Sequence, residues 1–165
     1  MRTVWLTLLI IVAALPGVVL LYARKSLREF EGLHPGDALP GSRLESAGGV
    51  PVETSSWLGF PTLLVVFQPG CNACRLEISG LAAIAPSFPN VKIVLLSTDR
   101  NVVGTRAPFP VYFDPDGRFL KKVRKLATPA VYWIDESGKV RYARAGQRSA
   151  SDEEALLRSL TENRR

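Results

Sequence analysis

The chain has few of the residues that usually build metal centres and disulfide frameworks. Its 165 residues include two cysteines and one histidine. Two cysteines form one disulfide at most, which excludes the multiply bridged scaffold of a small secreted domain. A zinc site built on them needs two more ligands, and the only histidine, His34, lies in a distant segment rich in glycine and proline. We therefore expect no metal and no cofactor.

Repeats and low-complexity tracts are also lacking. Hydrophobic residues make up 47% of the chain and charged residues 22%, as in ordinary globular proteins. The length predicts one domain with an appendage. The net charge is +6, and basic residues concentrate in 118–125 and 141–148. Neither run alternates basic with aromatic residues as a nucleic-acid site does, so no nucleic-acid partner is expected.

The N-terminal segment carries the longest hydrophobic run. Residues 4–21 (VWLTLLIIVAALPGVVLL) contain no charge and are just long enough to cross a bilayer as a helix. A cleaved signal peptide is the alternative, but no A-x-A-like site follows the run. We predict a transmembrane anchor at residues 1–23 and a glycine- and proline-rich linker at residues 24–40.

The remaining residues, 41–165, alternate between strand and helix patterns. Residues 61–67 and 91–96 are continuous apolar runs, which predict strands buried on both faces of a sheet. Between them, residues 74–88 have helical spacing, so the three segments form a right-handed βαβ unit. The other predicted elements are a hairpin at 42–53, a strand at 111–113, a basic helix at 117–125, a hairpin made by 130–135 and 139–143, and a helix at 151–161 with Ser151 as N-cap and Glu154 completing a capping box.

This order of elements defines the predicted fold class. A βαβ unit followed by a β-hairpin and a helix produces a mixed sheet with an antiparallel edge and helices on both faces. The prediction is an α/β, thioredoxin-like mixed sheet flanked by helices and preceded by one N-terminal transmembrane helix.

The cysteine pair lies where this fold can make a thiol reactive. Cys71 follows a buried strand and begins a helix, whose free N–H groups and dipole stabilise a thiolate. Cys74, one helical turn further on, can resolve a mixed disulfide formed by Cys71. We predict Cys71 as the nucleophile and Cys74 as the resolving thiol. An inert structural disulfide is the weaker interpretation, because so short a loop constrains little of the unfolded chain.

Thr128 and Pro129 are the second candidate pair. They immediately precede the predicted strand at 130–135, and a proline there must begin the strand or occupy a special turn. In the thioredoxin fold a cis proline faces the cysteine pair from this place. We predict that Thr128 and Pro129 bind the substrate peptide, with an ordinary trans proline as the alternative.

Two motifs, FQPGCNACRLE and TPAVYWIDESGKV, resemble the membrane-anchored TlpA/ResA/MauD group of thioredoxin-like proteins. The resemblance covers roughly residues 42–160. It implies a thiol-disulfide oxidoreductase that exchanges disulfides with disulfide-bearing or dithiol protein clients, such as apocytochromes c or amine dehydrogenase subunits. It also implies that Glu77, at the last position of a CxxCxxE motif, helps to set cysteine reactivity as a proton acceptor. The alternative for Glu77 is a solvent-exposed helix carboxylate.

The resemblance and the charge pattern disagree on orientation. The resemblance implies a single-pass protein of the inner membrane whose domain faces the periplasm or the cell exterior. Arg24, Lys25 and Arg28 follow the apolar run and only Arg2 precedes it, so the positive-inside rule predicts a cytoplasmic domain.

Two other functions compete with disulfide exchange. One is a non-enzymatic thioredoxin-fold adaptor at the membrane, with the basic segment 118–125 as its docking surface. The other is a peroxidase of the peroxiredoxin type, although no Pro-x-x-x-Thr motif precedes Cys71 and only Thr62 stands near. The direction of exchange, reductive or oxidative, is left open by the sequence.

Overall fold

The computed structural model describes residues 16–17, 32–100, 107–123 and 127–162. The predicted membrane segment, residues 4–21, lies outside these ranges except for Pro16 and Gly17. The first part of the predicted linker, residues 24–31, also lies outside them. Within the described ranges, no helix combines the length and the apolar character that crossing a bilayer requires. The structure therefore covers the predicted thioredoxin-like domain and the end of the predicted linker.

Strands and helices alternate along the described part of residues 32–162. The strands are β1 (Arg43–Ser46), β2 (Pro51–Glu53), β3 (Thr62–Phe67), β4 (Lys92–Ser97), β5 (Val111–Phe113), β6 (Ala130–Ile134) and β7 (Val140–Ala145). The helices are α1 (Asn72–Ile84), α2 (Arg118–Val123) and α3 (Ala150–Glu162), with short 3-10 turns at Thr54–Trp57 and Ala85–Ser87. Each element predicted within residues 42–161 is present, although α1 begins at Asn72 and not at Cys74.

The strands form one mixed sheet in the order β2-β1-β5-β4-β3-β6-β7. Parallel pairing joins β3 to β4 and β4 to β5, so α1 is the crossover of a βαβ unit. The β6–β7 hairpin is added antiparallel to β3 on one side, and the β1–β2 hairpin antiparallel to β5 on the other. This is the predicted thioredoxin-like arrangement.

The centre of the sheet is apolar on both faces. Every residue of β3 is buried, and in β4 only Lys92 is partly exposed. One face packs against α1 and α3 through side chains that include Leu81 and Leu157, and the other packs around Trp57 and Phe119. Each large apolar side chain buried in this way contributes roughly 1.5–3 kcal/mol. The core therefore fixes the end of β3, from which the chain turns into α1.

The end of the predicted linker packs on the domain. Leu33 is 7% exposed and belongs to the core around Trp57. Three backbone hydrogen bonds join the segment to the start of β7: Gly36 N–H to the Val140 carbonyl (2.8 Å), Val140 N–H to the Asp37 carbonyl (2.8 Å) and Leu39 N–H to the Gly138 carbonyl (2.7 Å). Residues 33–39, which the sequence pattern placed in a linker, are thus part of the fold.

The predicted cap of α3 is wrong by two residues. The backbone N–H of Asp152 donates to Ser149 Oγ at 3.2 Å, and Ser149 Oγ also lies 2.7 Å from Asp152 Oδ2. Ser149 is therefore the N-cap, in place of Ser151, and Glu154 pairs with Arg158 on the surface at 2.5 Å. Glu153 and Leu157, four residues apart, are the buried residues of α3.

The two serines provide a direct test of the cap. Ser149→Ala leaves an N–H of the first turn of α3 without its acceptor, and we expect a loss of about 1 kcal/mol in the free energy of unfolding. Ser151→Ala is the matched control, with an expected change within about 0.5 kcal/mol. Urea unfolding of both variants measures the difference, and equal losses would contradict the assignment.

Candidate active site

Cys71 lies between the end of β3 and the start of α1. The chain turns at Gly70, whose φ is +78°, a conformation that favours glycine. Cys71 is the N-cap of α1, and its sulfur accepts a hydrogen bond from the backbone N–H of Cys74 at 3.1 Å. A sulfur in this position receives the positive end of the helix dipole in addition to the N–H group. Cys71 therefore lies at the helix start, as the sequence predicts, and the stabilisation of its thiolate stays a prediction.

Cys71 and Cys74 are joined in a disulfide, with 5.2 Å between their Cα atoms. The two sulfurs differ in environment. Cys71 is partly exposed, whereas Cys74 is 1% exposed and packs in the core with Leu81. A partner protein can therefore reach the first sulfur more readily than the second. The roles of nucleophile and resolving thiol stay predictions.

Thr128 faces the disulfide from the segment just before β6. The Thr128–Pro129 peptide bond is cis, as predicted. The Thr128 hydroxyl lies 3.7 Å from Cys71 Sγ, and the Thr128 carbonyl oxygen lies 3.9 Å from the same sulfur. The sheet thus brings together two segments that are 57 residues apart in the sequence.

Glu77 is buried, so its interpretation as a solvent-exposed carboxylate is wrong. It is 2% exposed, on the same side of α1 as Cys74. Its Oε1 accepts from Arg144 Nη2 at 2.5 Å, and its Oε2 accepts from the backbone N–H of Arg148 at 2.9 Å. The glutamate therefore links the cysteine helix to the end of β7.

Arg144 and Glu153 were not predicted as site residues. Arg144 Nη2 also donates to Glu153 Oε2 at 2.7 Å, and Glu153 is 2% exposed. Two buried carboxylates thus share one guanidinium. The helical spacing of Glu153 and Leu157 is the one sequence signal that places the glutamate on the inner face of α3. The local sequence around Arg144 does not indicate that this β7 residue pairs with side chains of α1 and α3.

The pKa of Glu153 is shifted upward. Burial is the largest cause and raises the pKa, the Arg144 guanidinium lowers it, and the Glu77 carboxylate raises it again. The net direction follows because one guanidinium does not fully compensate two carboxylates removed from water.

A cavity of about 340 Å³ opens beside the disulfide. Its lining is mostly apolar and includes Phe67, Ile78, Leu95, Pro108 and both cysteines. Arg75 also lines the cavity, and its guanidinium donates to Asn72 Oδ1 at 2.6 Å. An extended peptide reacting at Cys71 has room here for an apolar side chain next to its own cysteine.

No group of three or more His, Cys, Asp and Glu side chains capable of holding a metal ion occurs in the described residues. The single histidine, His34, instead lies near Asp37, with 3.9 Å between Nδ1 and the carboxylate oxygen.

A thioredoxin fold whose βαβ helix begins with a pair of cysteines defines the class of thioredoxin-like thiol-disulfide oxidoreductases. The chain belongs to the AhpC/TSA family, whose model matches residues 35–143. It is 24% identical over 140 residues to the thiol-disulfide oxidoreductase ResA of Bacillus thuringiensis subsp. konkukian, covering 79% of this chain and 81% of the relative.

Solved structures show the same likeness. A protein of Chlorobium tepidum described as a thiol:disulfide interchange protein DsbE superposes with a TM-score of 0.66 at 25% identity, covering 79% of this chain and 98% of that one. A thio-disulfide isomerase from Thermus thermophilus superposes with a TM-score of 0.62 at 26% identity, covering 78% of this chain and 96% of that one.

The hydroxyl of Thr128 provides the first test of the site. In the reduced protein this hydroxyl can donate to the Cys71 thiolate, so Thr128→Val should slow alkylation of Cys71 at neutral pH. We expect a decrease of roughly twofold to tenfold, the range of a hydrogen bond worth about 0.5–1.5 kcal/mol. The rate is measured in a Cys74→Ala background, with Thr161→Val as the control. An unchanged rate would show that the hydroxyl does not act on the sulfur.

The raised pKa of Glu153 predicts a pH-dependent stability. Its contribution is fully present below the ordinary glutamate pKa of about 4.3 and is lost as the pH rises through the higher folded-state pKa. Glu153→Gln mimics the protonated carboxyl, so its free energy of unfolding should decline less over this window than that of the parent. Urea unfolding at a series of pH values measures the decline. Glu154→Gln, on the surface of the same helix, is the control and should follow the parent.

Proposed function

We propose that this protein exchanges disulfides with partner proteins on the outer side of the cytoplasmic membrane, with Cys71 as the attacking sulfur. The observation that carries the proposal is the position of Cys71 at the N-terminus of α1, partly exposed and accepting the N–H of Cys74 at 3.1 Å. A thiolate, and not a thiol, attacks disulfides.

The first step uses the exposure of Cys71. In the reduced protein its thiolate attacks one sulfur of a client disulfide, a mixed disulfide forms, and the other client sulfur leaves as a thiolate that takes a proton from water. The N–H of Cys74 is already directed at Cys71 Sγ and stabilises the attacking charge.

The second step uses the burial of Cys74. Cys74 loses its proton and attacks Cys71 Sγ, which closes the intramolecular disulfide and releases the second client sulfur. Two electrons have then passed from the cysteine pair to the client. Because Cys74 is 1% exposed, water and other thiols have little access to it, which favours resolution within the protein.

Thr128 and Pro129 form the proposed binding site for the client chain. Thr128 lies against Cys71 Sγ, and an extended client segment can pair with the backbone there. The apolar cavity beside the disulfide would receive a neighbouring client side chain. In this scheme the main chain supplies affinity, and the cavity supplies a preference for apolar residues.

Our proposals for the clients and the location rest on the resemblance to the TlpA/ResA/MauD group. We propose dithiol or disulfide clients of the apocytochrome c or amine dehydrogenase type, and a single-pass anchor at residues 4–21 with the domain facing the periplasm or the cell exterior. Such a compartment allows disulfides to persist.

A topology reporter fused after Arg165 tests the orientation. Reporter activity in the cytoplasm would contradict the proposed orientation and agree with the positive charges at residues 24–28.

Trapping provides the test of function. With Cys74→Ala the mixed disulfide on Cys71 cannot be resolved, so we expect covalent complexes with client proteins that reducing agents dissolve. Cys71→Ser should abolish both the complexes and the catalysed reduction of a disulfide substrate such as insulin. Full cellular activity of Cys71→Ser would contradict disulfide exchange and favour an adaptor. Consumption of peroxide without a thiol partner would favour a peroxidase.

The direction of exchange follows from the reduction potential of the cysteine pair. A value near or below about −270 mV, as in thioredoxin, makes the protein a reductant of its clients, and a value near about −120 mV makes it an oxidant.

A further inference from the structure

The cluster formed by Glu77, Arg144 and Glu153 is the most deeply buried group of charges in the described structure. The three side chains are 1%, 8% and 2% exposed, and they belong to α1, β7 and α3. Both carboxylates accept from the same atom, Arg144 Nη2. A buried cluster with two carboxylates and one guanidinium carries unbalanced charge, which is costly away from water and favours uptake of a proton.

We propose that Arg144 is a positioning residue for the resolving step: it holds the Glu77 carboxylate beside Cys74, while Glu153 competes for the same guanidinium. The inference rests on the proposed function and deepens it, since it identifies what controls proton removal from Cys74.

The position of Glu77 fits an acceptor for the proton of Cys74. The two residues are three apart on α1, both are buried, and helical residues at this spacing have Cβ atoms about 5–6 Å apart. Each oxygen of Glu77 has one hydrogen bond, from Arg144 or from the N–H of Arg148. A carboxylate oxygen has two acceptor positions, so both retain the capacity to take a proton.

Glu77 needs the guanidinium in order to act as a base. A buried carboxylate without a cation takes up a proton and can then accept no other. The charged groups that face the cluster are Arg144, Glu153 and Arg148, whose side chain lies over the Tyr142 ring at 5.9 Å. Arg144 makes the direct contact, so it is the cation that compensates the charge of Glu77.

Of the two carboxylates, Glu153 is the better acceptor for the proton that the cluster takes up. Its Oε1 is buried and has no hydrogen-bond partner in the described structure, whereas both oxygens of Glu77 have one. The upward shift of the pKa of Glu153 agrees with this. With the proton on Glu153, Arg144 and Glu77 form a balanced pair.

The step balances without an added reagent. The Cys74 thiol gives its proton to Glu77, and the resulting thiolate attacks Cys71 Sγ. The bond between Cys71 and the client sulfur breaks, and the client leaves as a thiolate that takes up a proton. Glu77 then returns its proton to water. The client disulfide is the oxidant for the cysteine pair.

A small aromatic disulfide separates the two sulfur reactions. The reduced full chain is mixed with excess dithiobis(nitrobenzoate), which releases a coloured thiolate at each step. Attack by Cys71 is bimolecular and scales with reagent concentration, whereas resolution by Cys74 is unimolecular and does not. The unimolecular rate is measured from about pH 4 to about pH 9, a range that brackets ordinary carboxyl and thiol titrations.

The variants should move the pH midpoint of the unimolecular rate in opposite directions. Arg144→Met should move it upward and slow resolution at neutral pH by about tenfold or more, within the range of general-base contributions. Arg144→Lys should restore part of the rate. Glu153→Gln should move the midpoint downward, because this side chain then cannot ionise and compete for the guanidinium as the pH rises. Glu77→Gln should be slow until the pH ionises the Cys74 thiol itself, and adding Arg144→Met to it should cost nothing more.

Controls separate the inference from structural damage and from the proposed function. Arg158→Met, which removes an exposed ion pair on α3, should leave both rates unchanged. If Arg144→Met does not fold, Arg144→Lys and Glu153→Gln still give opposite shifts. Equal pH midpoints in all folded variants would overturn the inference and leave disulfide exchange intact. A single colour release in the parent would instead overturn resolution by Cys74, and with it the proposed function.

Discussion

The hydrogen bond from the Cys74 N–H to Cys71 Sγ is the interaction on which the active site depends. It exists because a fully buried strand, β3, ends at Phe67 and the chain turns at once into α1. The apolar core fixes the end of the strand, the turn fixes the helix start, and the helix start determines where the first sulfur lies. The chemistry of the pair is therefore set by packing on the two faces of the sheet, well away from the sulfurs themselves.

The buried charges beneath α1 have a different role from this apolar core. A buried ion pair contributes little net stability, because removing the charges from water offsets most of their attraction. Leucines of similar volume would pack α1, β7 and α3 at least as well. Glu77, Arg144 and Glu153 take this space beside the cysteine helix, where the proposed resolving step needs a proton acceptor.

Local patterns in the sequence predicted most of the fold and the residues that meet at the disulfide. Continuous apolar runs identified β3 and β4, and the position of Pro129 just before β6 indicated the cis peptide bond. Long-range pairings could not be predicted in this way. Arg144 looks like an exposed residue in an alternating strand, and residues 33–39 look like a linker, because the groups that bind them lie far away in the sequence.

The packing of residues 36–39 on β7 also protects the edges of the sheet. An open edge strand offers unpaired backbone groups to any other extended chain and promotes aggregation. Here the start of β7 is covered by this segment, and the opposite edge, β2, has three residues and begins with Pro51. Other extended chains are thus kept from pairing with the two sides of the sheet, and the disulfide remains open at its end.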